Sequence, residues 1–199
     1  MRRAAAAPAV STLEALRSAV LTVPNVQSCA VYENDTEETD ARGLPHHAIC
    51  VAVSGGLTAD LAPVIFAKKA PGIGTFGNIA AEVKDAFGDS HTVRFQRAEM
   101  TVFALSVELK PLAGFDAAVT EKIRQALKAY ADGLQVGQDL VVPSLYGVCY
   151  EAAGTYPPAF SITLLTASCR GEATGGVLQA AWNQRYTTQA NMIQVLVRE

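Results

Sequence analysis

The chain has 199 residues, half of them apolar and 18% charged, with a formal net charge of −3. That length supplies one large or two small domains with ample material for a core, and a mildly acidic balance gives no electrostatic reason to expect nucleic-acid binding. No apolar run approaches the roughly 20 residues that a membrane helix needs, so no membrane insertion is expected. The opening MRRAAAAPAV has the charged start of a signal peptide, but its apolar stretch is short, is broken by Pro8 and is soon followed by Glu14 and Arg17. Export is therefore not expected, and residues 1–10 read as a leader. Cys29, Cys50, Cys149 and Cys169 stand far apart with no C-x-x-C spacing, which predicts packed, reduced thiols and not a disulfide framework or a zinc knuckle.

A helix is predicted from Ser11, where Ser11 and Glu14 have capping-box spacing and Leu13, Leu16 and Val20 share a face; Pro24 stops it. A strand follows at 26–33, then a polar, acidic loop over 34–44. Residues 43–77 are the organising stretch: a strand in which Ile49, Val51 and Val53 alternate with Ala48, Cys50, Ala52 and Ser54, a turn at Gly55-Gly56, and a helix with Leu61, Val64, Ile65 and Lys68 on one face. With Asp60 as its N-cap, Pro63 falls in the first turn, where a missing N–H costs least. Pro71 ends that helix, and GIGTFG turns the chain back.

Residues 78–96 read as a hairpin with a turn at 85–90, and a long strand covers 100–110, with Phe103, Leu105, Val107 and Leu109 facing one way. The clearest helix is 115–131, striped by Phe115, Val119, Ile123, Leu127 and Tyr130, with Asp116 in its first turn, Lys128 near its last and Gly133 as C-cap. A shorter helix is expected over 145–151, a linker at Tyr156-Pro157-Pro158, a strand over 160–166, a polar loop SCRGEATGG, a strand near 177–182 and a last strand over 193–197. Strands in runs between isolated helices predict an α+β fold built as two small, mostly antiparallel sheet/helix sub-domains. The expected divisions are 1–22 for the leader and N-terminal helix, 23–98 for the first sub-domain and 99–199 for the second.

Several residue groups invite a chemical reading. Gly72, Gly74 and Gly77 match G-x-G-x-x-G, but the phosphate-binding form needs a strand before it and a helix after it. Here a helix comes before and a strand after, so a glycine-rich turn is expected. His46, His47 and Cys50 do not share a strand face, and His91 is remote in sequence, so no metal site is expected. Asp35, Glu37, Glu38 and Asp40 lack EF-hand spacing and read as an exposed acidic loop. No G-x-S-x-G occurs, and nothing pairs a nucleophile with a base. Lys68, Lys69, Arg94 and Arg97 are expected on solvated faces. No catalytic, cofactor-binding or metal-ligating residue is therefore assigned, and the chain is expected not to be an enzyme.

The segments LEALRSAVLTVPNVQSCAVYEND, GLPHHAICVAVSGG, IFAKKAPGIGTFGN, VKDAFGDSHTVRFQRAE, IRQALKAYADGLQVGQDLVVPSLYGVCYEAAGTY and ANMIQVLVRE occur in that order. Together they resemble the C-terminal part of baseplate J-like proteins, wedge components of the contractile tails of Mu-like phages, over about residues 13–199. The chain departs from the pattern at Asn25, in place of the Gly of "VPGV", and at His46, in place of the second Pro of "LPPH". The family usually carries a further N-terminal region, so the resemblance implies a fragment or a truncated prophage product. It also implies a structural subunit with no cofactor, which pairs with copies of itself and with other wedge and hub proteins. Its expected place is the virion tail baseplate, with the bacterial cytoplasm as the site of assembly. The alternative is a small-ligand or nucleotide-binding enzyme domain using the loop from Gly72 to Gly77.

Overall fold

The computed structural model describes residues 13–154 and 157–198. The expected leader, the Ser11 end of the capping box and Tyr156 of the expected linker lie outside them. The chain is α+β and divides into two compact units, one ending at Ala98 and the other beginning at Glu99.

The first unit comprises α1 (Leu13–Leu21), β1 (Val26–Asn34), β2 (Ala48–Gly55), α2 (Thr58–Lys68), β3 (Gly74–Phe76), β4 (Ile79–Lys84) and β5 (Ser90–Arg97). β1 runs antiparallel to β2, with Val31 opposite Val51 and Asn34 opposite Ala48. Along its other edge β2 pairs in parallel with β3 at Ala48 to Cys50 and with β5 at Ala52 and Val53. The expected hairpin forms as β4 and β5, from Ile79 opposite Phe95 to Lys84 opposite Ser90. The bulky face of β2 (Ile49, Val51, Val53) packs with Leu16 and Val20 of α1, Leu61 and Ile65 of α2, and Val93 and Phe95 of β5. Each such side chain, fully removed from water, contributes roughly 1.5–3 kcal/mol.

α2 departs from the expectation at its start. It begins at Thr58 behind Leu57, so Asp60 is not the cap and Pro63 stands in the helix interior. The proline removes the donor to the Ala59 carbonyl. Ala59 and Pro63 are both exposed, so water can take the missing donor's place.

The second unit is built on one strand. It comprises β6 (Glu99–Pro111), α3 (Val119–Asp132), β7 (Leu140–Val141), α4 (Ser144–Ala153), β8 (Phe160–Cys169), β9 (Glu172–Thr174), β10 (Val177–Leu178), β11 (Gln184–Thr187), a single 3-10 turn (Ala190–Met192) and β12 (Ile193–Val197). β6 is paired on both edges. β8 lies antiparallel to it from Phe103↔Cys169 to Pro111↔Phe160, while β11 and β12 lie parallel to it, β11 opposite Glu99 to Val102 and β12 opposite Leu105 to Leu109. Its inward residues Phe103, Leu105, Val107 and Leu109 pack with Ile123 and Leu127 of α3 and Leu145 and Cys149 of α4. β7 and β10 form a separate two-stranded pair.

Antiparallel ladders carry most of the pairing among the described residues, but the sheets are mixed, and the parallel partners were not anticipated. Three further boundaries differ. α3 starts at Val119, because Asp116 Oδ1 accepts the Ala118 N–H at 2.9 Å and holds 115–118 as a turn ahead of the helix. The expected loop SCRGEATGG contains a hairpin: Arg170 (φ 52°) and Gly171 (φ 89°) are both left-handed, as a two-residue turn of right-handed strands requires, and Cys169 pairs with Glu172. The expected strand near 177–182 stops at Leu178, where Ala180 N–H turns to Asp139 Oδ1 at 2.7 Å; the chain then reverses and forms the unanticipated β11.

Candidate functional site

The three motif glycines do not form a phosphate cradle. The Ile73 N–H donates to Ala70 O at 3.3 Å and the Gly74 N–H to His47 O at 3.2 Å, so these two amides are already used. Residues 74–76 then enter β3, and no helix N-terminus follows. Gly77 is a packing residue, since a Cβ there would lie 2.0 Å from the Phe95 carbonyl carbon.

The histidines are not brought together as ligands. His47 lies 3.4 Å from Glu37 on the surface, its ring edge-on to His46 at 5.4 Å. His91 lies 3.2 Å from Asp85, its ring 4.8 Å from that of Phe66 and tilted by 33° to it. Cys50 is buried in β2. Among the described residues no three His, Cys, Asp or Glu side chains are placed to share a metal ion. All four cysteines are free; burial pushes the Cys29, Cys50 and Cys149 thiols up to about 12, which keeps them protonated and unreactive at neutral pH.

The acidic loop is organised by two side chains. The buried Asn34 donates from Nδ2 to the carbonyls of Glu38 (2.7 Å) and Leu44 (2.8 Å) and accepts Thr36 Oγ1 (2.6 Å). Asp40 Oδ1 accepts the N–H groups of Arg42 and Leu44 at 2.8 and 2.9 Å, so this carboxylate is a turn former. Arg42 lies over the Tyr32 ring at 4.8 Å.

Two of the residues expected on solvated faces are engaged. Lys69 Nζ donates to Ile73 O at 3.1 Å. Arg97 donates from Nη1 to Gly55 O and from Nη2 to Thr58 Oγ1, and desolvation lowers its pKa. Arg185 carries no signal in the sequence. It is buried and donates to the Leu134 and Asp132 carbonyls at 2.9 Å each, closing the C-terminal end of α3.

In the open hollow beside β9, Arg170 is paired with Glu99 at 3.0 Å and the Tyr186 hydroxyl donates to Gln179 O at 2.8 Å, so these two polar groups are held by neighbours. The second unit displays a sheet face. β6 alternates strictly between buried residues and outward Val102, Ala104, Ser106 and Glu108. Across the sheet, Leu164 of β8 and Leu196 of β12 flank Glu108. Val102, Leu164 and Leu196 are 44%, 43% and 37% exposed. In the first unit the most exposed large apolar side chain is Phe87, at the tip of the β4–β5 hairpin.

No protein-family model matches the chain, and none of the curated proteins matches it. No helix among the described residues is long and apolar enough to cross a membrane.

Proposed function

We propose that the chain is a structural subunit of a contractile-tail baseplate wedge, acting through contacts between subunits and not through a catalytic site. The observation that carries this reading is the outward face of the β6 sheet. Leu164 and Leu196 flank Glu108 from the two neighbouring strands, Val102 stands nearer the start of β6, and the opposite face of the sheet packs against α3 and α4. Exposed apolar side chains on an otherwise packed sheet suit a protein–protein contact. The ordered resemblance to baseplate J-like proteins supplies the kind of assembly. In it the subunit contacts its own copies and the neighbouring wedge and hub proteins around the tail. Force and rearrangement in such a ring pass through interfaces between rigid modules.

Mass spectrometry of tail particles purified after prophage induction tests the assignment. Peptides of this chain at a fixed ratio to the sheath protein are expected, and Leu164→Asp should fold yet be depleted from particles. Complete particles that lack the chain would overturn the assignment.

A further inference from the structure

β12 leaves one edge of its sheet unpaired. The Arg198 N–H donates to Leu109 O at 2.8 Å, so Arg198 turns its backbone groups toward β6. In a parallel ladder this direction alternates from residue to residue. Gln194 and Leu196 therefore face β6 as well, while Ile193, Val195 and Val197 face away from it. Ile193 is already used: its N–H donates to Ala190 O, and its carbonyl accepts Arg124 Nε at 3.2 Å. Val195 and Val197 have no further strand beside them among the described residues. An open hollow of about 420 Å³ lies at this edge, bordered by Val195, Leu196, Arg124 and Asn191.

The edges at β1, β4 and β9 are blunted. β1 is bulged between Val26 and Ser28, and Arg17 Nε occupies its Cys29 carbonyl at 2.9 Å. β4 carries Glu82 and Lys84, and β9 is three residues long and begins with Glu172. Such devices keep an edge from pairing with another chain. β12, Ile-Gln-Val-Leu-Val, has no charge, no proline and no bulge.

The free groups also specify what fits. Val195 and Val197, two positions apart, each offer one N–H and one C=O. An antiparallel copy of the same strand answers both: Val195 exchanges two bonds with Val197 of the second copy, and Val197 with Val195. A twofold axis then passes at Leu196. Leu196, 37% exposed, meets its own counterpart in a close, non-hydrogen-bonded pair, and Val197, 44% exposed, packs on the second copy's Val195. Arg198 stands opposite Gln194, so no like charges oppose each other. A register with Val195 opposite itself would call on the occupied groups of Ile193.

We infer that two copies pair through β12, antiparallel about Leu196, so that the β6 sheets of two second units join into one. Such a contact is isologous, as in most dimers of identical chains. The inference deepens the reading of the chain as an assembly subunit and rests on it for its biological meaning.

Sedimentation velocity of the purified full chain over a concentration series should show a reversible monomer–dimer equilibrium. Leu196→Glu, a change at an exposed side chain, should weaken it at least about tenfold, because two carboxylates then meet at the axis. Leu196→Lys should weaken it too, and mixing the two variants should restore a one-to-one pair. Cysteine pairing in a Cys169→Ser background reads the register. Leu196→Cys should give a disulfide-linked dimer on mild oxidation, since the Cα atoms of such a pair lie about 4.5 Å apart, within a disulfide's reach. Gln194→Cys should not, because it faces Arg198. A monomer at every concentration, a dimer that Leu196→Glu leaves unchanged, or cross-linking of Gln194→Cys in preference to Leu196→Cys overturns the inference. A monomer in solution that is still found in tail particles sinks only this contact; dimers that never enter particles sink only the wedge assignment.

Discussion

Arg97 Nη2 donates to Thr58 Oγ1 at 3.1 Å while Nη1 of the same guanidinium donates to the Gly55 carbonyl. The last residue of β5 is thereby tied to the last residue of β2 and to the first residue of α2, with the Phe95 ring 5.1 Å from the guanidinium. Lysine keeps the charge but has no planar fork to reach both acceptors. Arg97→Ala should lower stability by about 1–2 kcal/mol, the scale of charge-assisted hydrogen bonds that are only partly shielded, and Arg97→Lys by less. The expected readout is a lower urea midpoint at unchanged slope. An unshifted midpoint would mean that Arg97 is merely solvated.

Asn34 satisfies the carbonyls of Glu38 and Leu44 from one amide, inside the protein. Asn34→Ala should cost about 1–3 kcal/mol, because each carbonyl loses one of its two donors, Leu44 O keeping the Asp40 N–H and Glu38 O the Thr36 hydroxyl, and the bond to Leu44 is fully buried. The effect should be local first. Amide hydrogen exchange should speed up across 34–44 before it changes in α2, and equal acceleration everywhere would contradict the role assigned to this side chain.

Acid should loosen the hairpin tip. The hydrogen bond from His91, with further bonds from the Phe87 and Asp89 amides, holds the Asp85 carboxyl below its ordinary value. A depressed folded pKa means that the contribution is complete above the unfolded value of about 3.9 and is lost as pH falls through the lower folded value. The Phe87 and Asp89 amide resonances should therefore titrate together, with a midpoint below that of a free carboxylate. In Asp85→Asn this titration should vanish. A midpoint at the ordinary carboxylate value would show that the turn does not depend on the charge.

Gly77 and Gly72 should respond very differently to alanine. At Gly77 the new methyl would lie 2.0–2.4 Å from the Phe95 and Gln96 backbone, whereas at Gly72 it would meet nothing within 4 Å. Gly77→Ala should cost about 3 kcal/mol or more through forced separation of β5, and Gly72→Ala only about 1–2 kcal/mol from its left-handed backbone (φ +78°). Thermal melts separate the two outcomes. If both variants instead melted like the parent while losing affinity for a nucleotide, the ligand-loop alternative would gain the support it lacks.

The legibility of this sequence follows the range of the interactions. Phe103, Leu105, Val107 and Leu109 announce a strand because one face of β6 is packed and the other is not, and period-2 burial writes itself into the residues. The β4–β5 hairpin was equally readable, since its pairing is local. The parallel partners of β6 were not, because β12 is joined to it only across most of the second unit. Gln184–Thr187 carries no apolar alternation, and its place depends on Tyr186 reaching the core and Arg185 reaching the end of α3. Arg97 and Asn34 look like ordinary surface residues in sequence; their importance comes from acceptors that folding brings to them. The outward sheet face is invisible for a related reason, as Val102, Leu164 and Leu196 cannot be told from core residues until their exposure is seen. Phe87 did carry a signal, an aromatic residue inside the turn DAFGDS.

The parallel pairing of β6 and β12 has a mechanical consequence. The second unit begins with β6 at Glu99, and its last strand, β12, ends at Val197; Arg198 extends the contact through its N–H to Leu109 O at 2.8 Å and its Nε to Glu108 at 2.8 Å. Tension applied between Glu99 and Arg198 pulls the two strands past each other along their length. The ladder bonds are then loaded in shear, all at once, instead of being peeled one at a time as at a hairpin end. Pulling single molecules through these two points should give one high rupture peak, well above that for pulling β8 and β9 apart at their open end. A unit built in this way transmits a pull along its sheet almost as a solid strut would.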